Sequence, residues 1–247
     1  MLFFENGGKE KPAVILLHGG GLSHWSLSGV TELLKENYNV VTPVIDGHGD
    51  DGGNDFISIE DSALKLIEYI KKNHRGKVFA LGGLSIGAQI VTEVLSLQED
   101  IAQFAILESA LVMPIKGTKI LTAPMVKASY GLIKYKWFSK MQAKTLYVGE
   151  SGFDQYYNDS LRISKNSLVN IILSNGAYSL KNGIEKTKAK VLIITGEKEI
   201  NLIKKSAKLL NAKIPKSEVF TAKKMGHGQL SMKHPQEYVK IVIRFMS

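Results

Sequence analysis

Lys77-Val78-Phe79-Ala80-Leu81-Gly82-Gly83-Leu84-Ser85-Ile86-Gly87 runs from an apolar, strand-like stretch into a glycine-bounded turn around one serine, and a helical pattern continues from Gly87 to Leu97. Turning from strand to helix within so few residues forces the residue at the apex into a strained backbone conformation. Side chains at Gly83 or Gly87 would collide with neighbouring backbone. The strain lifts the Ser85 hydroxyl above the sheet, at the start of a helix whose free N–H groups favour a developing negative charge. This is the context that a G-x-S-x-G nucleophile needs. Ser85 is the candidate nucleophile.

Upstream, Ala13-Val14-Ile15-Leu16-Leu17 is a continuous apolar run of the kind found in buried parallel strands, and it leads straight into His18-Gly19-Gly20-Gly21. Successive glycines let backbone amides approach a ligand closely. Acyl transfer requires two donors aimed at the oxyanion of a tetrahedral intermediate, each worth roughly 3 to 4 kcal/mol. The amide of Ile86 is assigned as one donor and that of Gly20 as the other, with Gly19 and Gly21 as substitutes for Gly20.

The rest of the chain repeats the alternation. Thr31 to Glu36 reads as helix, Tyr38 to Ile45 as strand with a bulge expected at Pro43, and Ser58 as the cap of a helix, with Asp61 at the capping-box position and Leu64, Ile67 and Ile70 on its apolar stripe. Further strands are expected at Phe104–Leu107, Lys190–Gly196 and Ser217–Phe220, and a closing helix at Pro235–Phe245. This order predicts an α/β fold, a mostly parallel sheet with helices on both faces. Between the fourth and fifth of these strands the rhythm breaks into several helices rich in lysine and aromatic residues. Residues 112–190 are therefore expected to form an inserted helical cap with an aromatic, partly apolar pocket, over a core of residues 1–111 and 191–247.

Composition narrows the function. The chain has 247 residues, 44% hydrophobic and 22% charged, and no cysteine. Disulfide frameworks, thiolate zinc sites and a cysteine nucleophile are excluded. No apolar run approaches the roughly 18 residues of a membrane span, and the first residues turn acidic and glycine-containing too early for a signal peptide. A cytoplasmic protein is the expectation. The net charge of +9 lies entirely in Val112–Lys190, which holds thirteen basic and four acidic residues. No nucleic-acid-binding motif accompanies the lysines. A solvated surface or weak association with an anionic membrane accounts for them. No His-x-x-x-His pair, Walker loop or dinucleotide fingerprint is present, so neither a metal nor a cofactor is implied.

With His18-Gly19-Gly20, Asp46-Gly47-His48-Gly49, Gly83-Leu84-Ser85-Ile86-Gly87 and Gly226-His227-Gly228 in this order, the chain resembles the α/β-hydrolase fold family over nearly its whole length. The resemblance implies a triad in the order Ser, acid, His. It makes His227 the general base and His18 and His48 structural, while His24, His74 and His234 have nothing to orient them. An imidazole, with an ordinary pKa near 6.5, suits proton transfer near neutrality. For the acid, the family's frequent Gly-x-x-Asp is replaced by Gly196-Glu197-Lys198-Glu199, which puts Glu199 at the matching position. Glu108, at the end of the fourth strand, and Glu197 are rivals, whereas Asp46, Asp50 and Asp51 read as turn residues.

The implied activity is serine hydrolysis of a carboxylic ester or thioester, with a small-molecule ester or acyl substrate, no cofactor and no nucleic-acid partner. A lyase or C–C bond hydrolase with the same residues is an alternative on the same scaffold, as is a non-catalytic ligand receptor.

Overall fold

The computed structural model describes all residues 1–247. In chain order the elements are β1 (Leu2–Asn6), β2 (Ala13–Leu17), α1 (Ser28–Leu34), β3 (Asn39–Val44), α2 (Ile59–Asn73), β4 (Val78–Leu84), α3 (Ile86–Leu97), β5 (Ala102–Glu108), α4 (Thr118–Ser129), α5 (Lys136–Thr145), α6 (Phe153–Arg162), α7 (Lys165–Ala177), β6 (Lys190–Gly196), α8 (Asn201–Lys213), β7 (Ser217–Ala222), α9 (Gln229–Lys233) and α10 (Pro235–Met246). The strands form one seven-stranded sheet in the order β1-β3-β2-β4-β5-β6-β7. Every neighbouring pair is parallel except β1 with β3. The expected α/β architecture is present.

The period of two along each strand divides the core between the faces. Ile15, Leu17, Leu81, Leu107 and Ile193 pack with Leu66 and Ile70 of α2 and Ile90 and Val94 of α3. Their strand neighbours Val14, Leu16, Ala80, Ile106 and Ile194 pack with Leu34 of α1 and Val239 and Val242 of α10. Both faces are covered, which explains why β2, β4 and β6 read as unbroken apolar runs. No helix is long and apolar enough to cross a membrane.

Some details differ from expectation. The sequence analysis anticipates none of β1, α8 and α9. No bulge forms at Pro43: β3 runs through it in register, with Phe3 opposite. The parallel pairing with β2 covers only Asn39–Val41, so the missing N–H of Pro43 falls beyond that ladder. On α2 the buried stripe is Ile59, Ala63, Leu66, Ile67 and Ile70, while Leu64 faces solvent. Ser58 does cap this helix, accepting the Asp61 N–H at 3.1 Å, but the Asp61 carboxylate pairs with Lys65 rather than reaching back.

Helices α4–α7 lie between β5 and β6 and close over the C-terminal edge of the sheet, enclosing a cavity with the Gly20–Gly21 turn. Two of them are tied to the core. The Phe56 N–H donates to Ser167 Oγ of α7 at 3.0 Å, and Gln89 Nε2 donates to the Asn175 carbonyl, also at 3.0 Å. Trp25 Nε1 donates to Asp159 of α6 at 2.7 Å. Helix α4 packs on α7 and α5 on α6, forming an outer layer.

Candidate active site

The site is assembled from the loops that follow β2, β4, β5, β6 and β7. At the end of β4, Ser85 has φ 54° and ψ −114°, a left-handed backbone that non-glycine residues seldom adopt. The glycines on either side explain how the turn closes. A Cβ on Gly83 would sit 2.6 Å from the Ala88 nitrogen, and one on Gly87 would sit 2.6 Å from the His18 carbonyl oxygen. Sheet and helix approach so closely that only hydrogen fits, and the serine projects from the apex.

The loop after β7 brings His227 to this apex. Its Nε2 lies 2.9 Å from Ser85 Oγ, across 142 positions of sequence. Its Nδ1 lies 3.1 Å from Glu199 Oε2. A carboxylate only accepts, so Nδ1 carries the proton and Nε2 is free to accept from the serine hydroxyl. Glu199 stands in the turn after β6 with a fully buried side chain. Burial alone would raise its pKa. Donation from His227, the Gly196 N–H at 3.0 Å and Ser109 Oγ at 2.6 Å outweighs this and holds the carboxyl below its ordinary value. Glu199 therefore stays ionised beside the imidazole.

The rival acids are elsewhere. Glu108 is buried at the end of β5, where its Oε1 accepts from the Ser231 N–H at 3.3 Å and no imidazole reaches it. Burial pushes its pKa up to about 7. Glu197 faces outward and accepts from the Lys224 N–H at 2.6 Å. Asp46, Asp50 and Asp51 are held in ion pairs, with Lys65 at 3.0 Å, Arg162 at 2.7 Å and the Met1 ammonium at 3.0 Å respectively.

His18 builds the neighbouring turn. It is completely buried, and burial first, then the nearby His48, drives its pKa well below the ordinary value. The neutral ring bridges two loops. Its Nδ1 donates to the Gly19 carbonyl at 2.9 Å and its Nε2 accepts from the Ile45 N–H at 3.1 Å. This fixes the glycine turn beside the start of α3: a Cβ on Gly20 would lie 3.7 Å from Ile86 Cγ2. The Gly20 N–H donates to no protein acceptor, and Ile86, as the first residue of α3, has no intrahelical partner for its N–H. His24, His74 and His234 take no part. No three or more His, Asp or Glu side chains gather at metal-ligand spacing.

Ser109 escaped the sequence reading. It is buried after β5 at φ 58° and joins two loops, donating to Glu199 and accepting from the Gly228 N–H at 3.1 Å. It thus positions both the carboxylate and the residue after His227. The only local sign is a polar residue ending an apolar strand. Ser109→Ala removes a hydrogen bond to a buried charge, worth about 1.5 to 3 kcal/mol. We expect the free energy of unfolding near neutral pH to fall by about that amount, measured by denaturant titration.

Comparison with known proteins agrees with this architecture. The Alpha/beta hydrolase family model matches residues 14–241. A protein of Gibberella zeae described as an AB hydrolase superfamily protein is 29% identical over 96 residues, which is 38% of this chain and 34% of that protein. The match thus spans about a third of the relative's length. Among solved structures, a thermophilic esterase from Thermogutta terrifontis superposes with a TM-score of 0.80 at 16% identity, covering 99% of this chain and 92% of its own. The enol-lactonase from Burkholderia xenovorans LB400 gives 0.79 at 13% identity, covering 99% and 95%. Identities this low speak for the fold alone. The family match over most of the chain, with the strained serine turn in its place on the sheet, establishes that this chain belongs to the alpha/beta hydrolase family.

Proposed function

We propose that the protein hydrolyses carboxylic esters or thioesters through an acyl-enzyme on Ser85. The observation that carries this reading is the continuous hydrogen-bonded chain from Ser85 Oγ through His227 to Glu199. His227 Nε2 takes the serine proton as Oγ bonds to the substrate carbonyl carbon. The amides of Gly20 and Ile86 stabilise the resulting oxyanion. The C–O or C–S bond then breaks and His227 returns the proton to the leaving group. A water deprotonated by the same nitrogen attacks the acyl-enzyme, and His227 returns that proton to Ser85 Oγ as the acid is released. Glu199 keeps the imidazole in the tautomer that can accept, and stabilises the imidazolium.

Residues 112–190 serve as the cap and supply the acyl pocket. A small pocket at Ser85 and His227 is bordered by Gly20 and Leu146, and both residues also line a cavity of about 650 Å³ beneath α4–α7. An acyl group bound at Ser85 would extend past these two residues. The cavity wall is more aliphatic than the cap's composition suggested: Phe138 and Tyr156 are its only aromatic residues, while Tyr135 and Trp137 face solvent. The esterase and enol-lactonase named among the fold relatives fit the proposed chemistry.

The test is a panel of p-nitrophenyl esters from acetate to palmitate, with mass spectrometry of the quenched enzyme. Turnover with an acyl adduct on Ser85 supports the reading. Turnover without an adduct would point to direct attack by a water that His227 activates, and no turnover at all to a lyase, a C–C hydrolase or a receptor. Ile171→Trp fills the cavity beside Gly20, and should lower kcat/KM for long esters at least about tenfold relative to acetate, since each lost methylene contact is worth about 0.8 kcal/mol.

A further inference from the structure

Apolar side chains left in water are concentrated on the outer layer of the cap. Ile120 is 79% exposed, Leu121 63%, Trp137 62%, and Met125 and Met141 54% each. They alternate with Lys116, Lys119, Lys127, Lys134, Lys136, Lys140 and Lys144, and the stretch from Ile115 to Gly149 contains no acidic residue. None of these seven lysines forms an ion pair, although eight other basic groups of the protein do. Of the twelve residues of α4, only Thr122 and Val126 are buried.

The pattern is ordered around each helix. On α5, at 100° per residue, Phe138, Gln142 and Thr145 line the cavity. Trp137 and Met141 form the adjoining stripe, and Lys136, Lys140 and Lys144 the next, with Ser139 and Ala143 buried on the far side. On α4, Leu121 and Met125 line the cavity and are also exposed, as are Ile115 and Lys116 just before the helix. These residues are the cavity's mouth. The apolar–cationic surface and the entrance to the proposed acyl pocket are therefore on one side of the molecule.

We infer that the α4–α5 face docks on an anionic lipid bilayer, so that a bilayer-resident acyl ester enters the cavity directly from the membrane. Exposed tryptophan, methionine and isoleucine gain from insertion at the acyl–headgroup boundary, where the neighbouring lysines, which have no carboxylate partner, meet anionic headgroups. An acidic protein would satisfy the lysines but leave the apolar stripes without a partner. The choice of substrate rests on the ester-hydrolase reading above, whereas docking is measured without turnover.

The experiment is co-sedimentation of the full chain with phosphatidylcholine vesicles, with and without one third phosphatidylglycerol, at low and high salt. Retention on anionic vesicles should exceed that on neutral ones at least about tenfold, and fall as salt screens the lysines. Ser85→Ala should bind like the native chain. Trp137→Ser with Met141→Ser, and separately Lys136→Glu with Lys140→Glu, should each weaken binding about tenfold or more, while turnover of soluble p-nitrophenyl butyrate stays unchanged. Absence of binding to anionic vesicles at low salt overturns docking even if esters are hydrolysed. So does binding that survives the charge reversals, or salt-sensitive binding to polyglutamate without vesicle binding. Vesicle binding without ester turnover would instead retain docking and overturn the hydrolase reading.

Discussion

Ser85→Ala should lower kcat for a p-nitrophenyl ester by about 10⁴- to 10⁶-fold, and His227→Ala should do so to a similar extent. Both losses follow from the 2.9 Å contact between Ser85 Oγ and His227 Nε2. Without the hydroxyl no acyl-enzyme forms. Without the imidazole the hydroxyl keeps its proton and remains a poor nucleophile. Because the two act as one unit, the double variant should be no slower than either single one, in contrast to the multiplied losses of independent groups. KM should move little, since neither side chain lines the 650 Å³ cavity. The residual rate should reflect the Gly20 and Ile86 amides, which neither change touches. Ser85→Ala should also release the strain stored at φ 54° only in part, because alanine is scarcely better suited to that backbone than serine. Activity within tenfold of native in Ser85→Ala, after active-site titration to exclude contaminating enzyme, would remove Ser85 from the chemistry.

The parts of the fold and site that could be read from sequence are those written in local geometry. Gly83, Ser85 and Gly87 carry their own explanation, because a tight strand-to-helix turn demands small residues at fixed spacing, and the structure places them as that demand requires. The apolar runs of β2, β4 and β6 announce strands buried on both faces. β1 was missed because it is a short edge strand, half-exposed, whose pairing with β3 lies far along the chain. Ser109 was missed because its importance lies in partners 90 and 119 positions away. The acid could not be settled for a related reason. Glu108, Glu197 and Glu199 all lie at the C-terminal ends of adjacent strands, and what separates them is the direction in which each carboxylate points. The lysine-rich helices are legible as a charged surface, but the exposed apolar stripes between the lysines are not. Whether an apolar residue beside a lysine faces a cavity or water depends on packing against α6 and α7.

The carboxylate assignment yields opposite expectations for two isosteric changes. Glu199→Gln should reduce kcat about 10⁴-fold. A glutamine amide can donate to Nδ1 and so favours the tautomer in which Nε2 carries the proton and cannot accept from Ser85. It also removes the charge that stabilises the imidazolium. Glu108→Gln should leave kcat within about threefold, because no hydrogen bond joins Glu108 to the imidazole. Its effect is on stability. In the unfolded chain Glu108 titrates near 4.5, whereas in the fold burial holds its proton to about pH 7. Below the lower value both states are protonated and the group is neutral in effect. Between the two, the unfolded chain releases a proton that the folded protein retains, so native stability declines as pH rises, by about 3 kcal/mol in all, and the decline is complete above pH 7. Glutamine resembles the protonated acid and has nothing to release. Denaturant unfolding of Glu108→Gln should therefore match the native protein at pH 4.5 and exceed it at pH 8, with the difference opening between these values. Glu199 has the opposite sign: its depressed pKa adds stability above the ordinary carboxylate range, which is lost as pH falls through the folded value. If Glu108→Gln proved the catalytically damaging change and Glu199→Gln the silent one, the acid would belong to β5, and the 3.1 Å contact between Glu199 and His227 would not be the one that works in turnover.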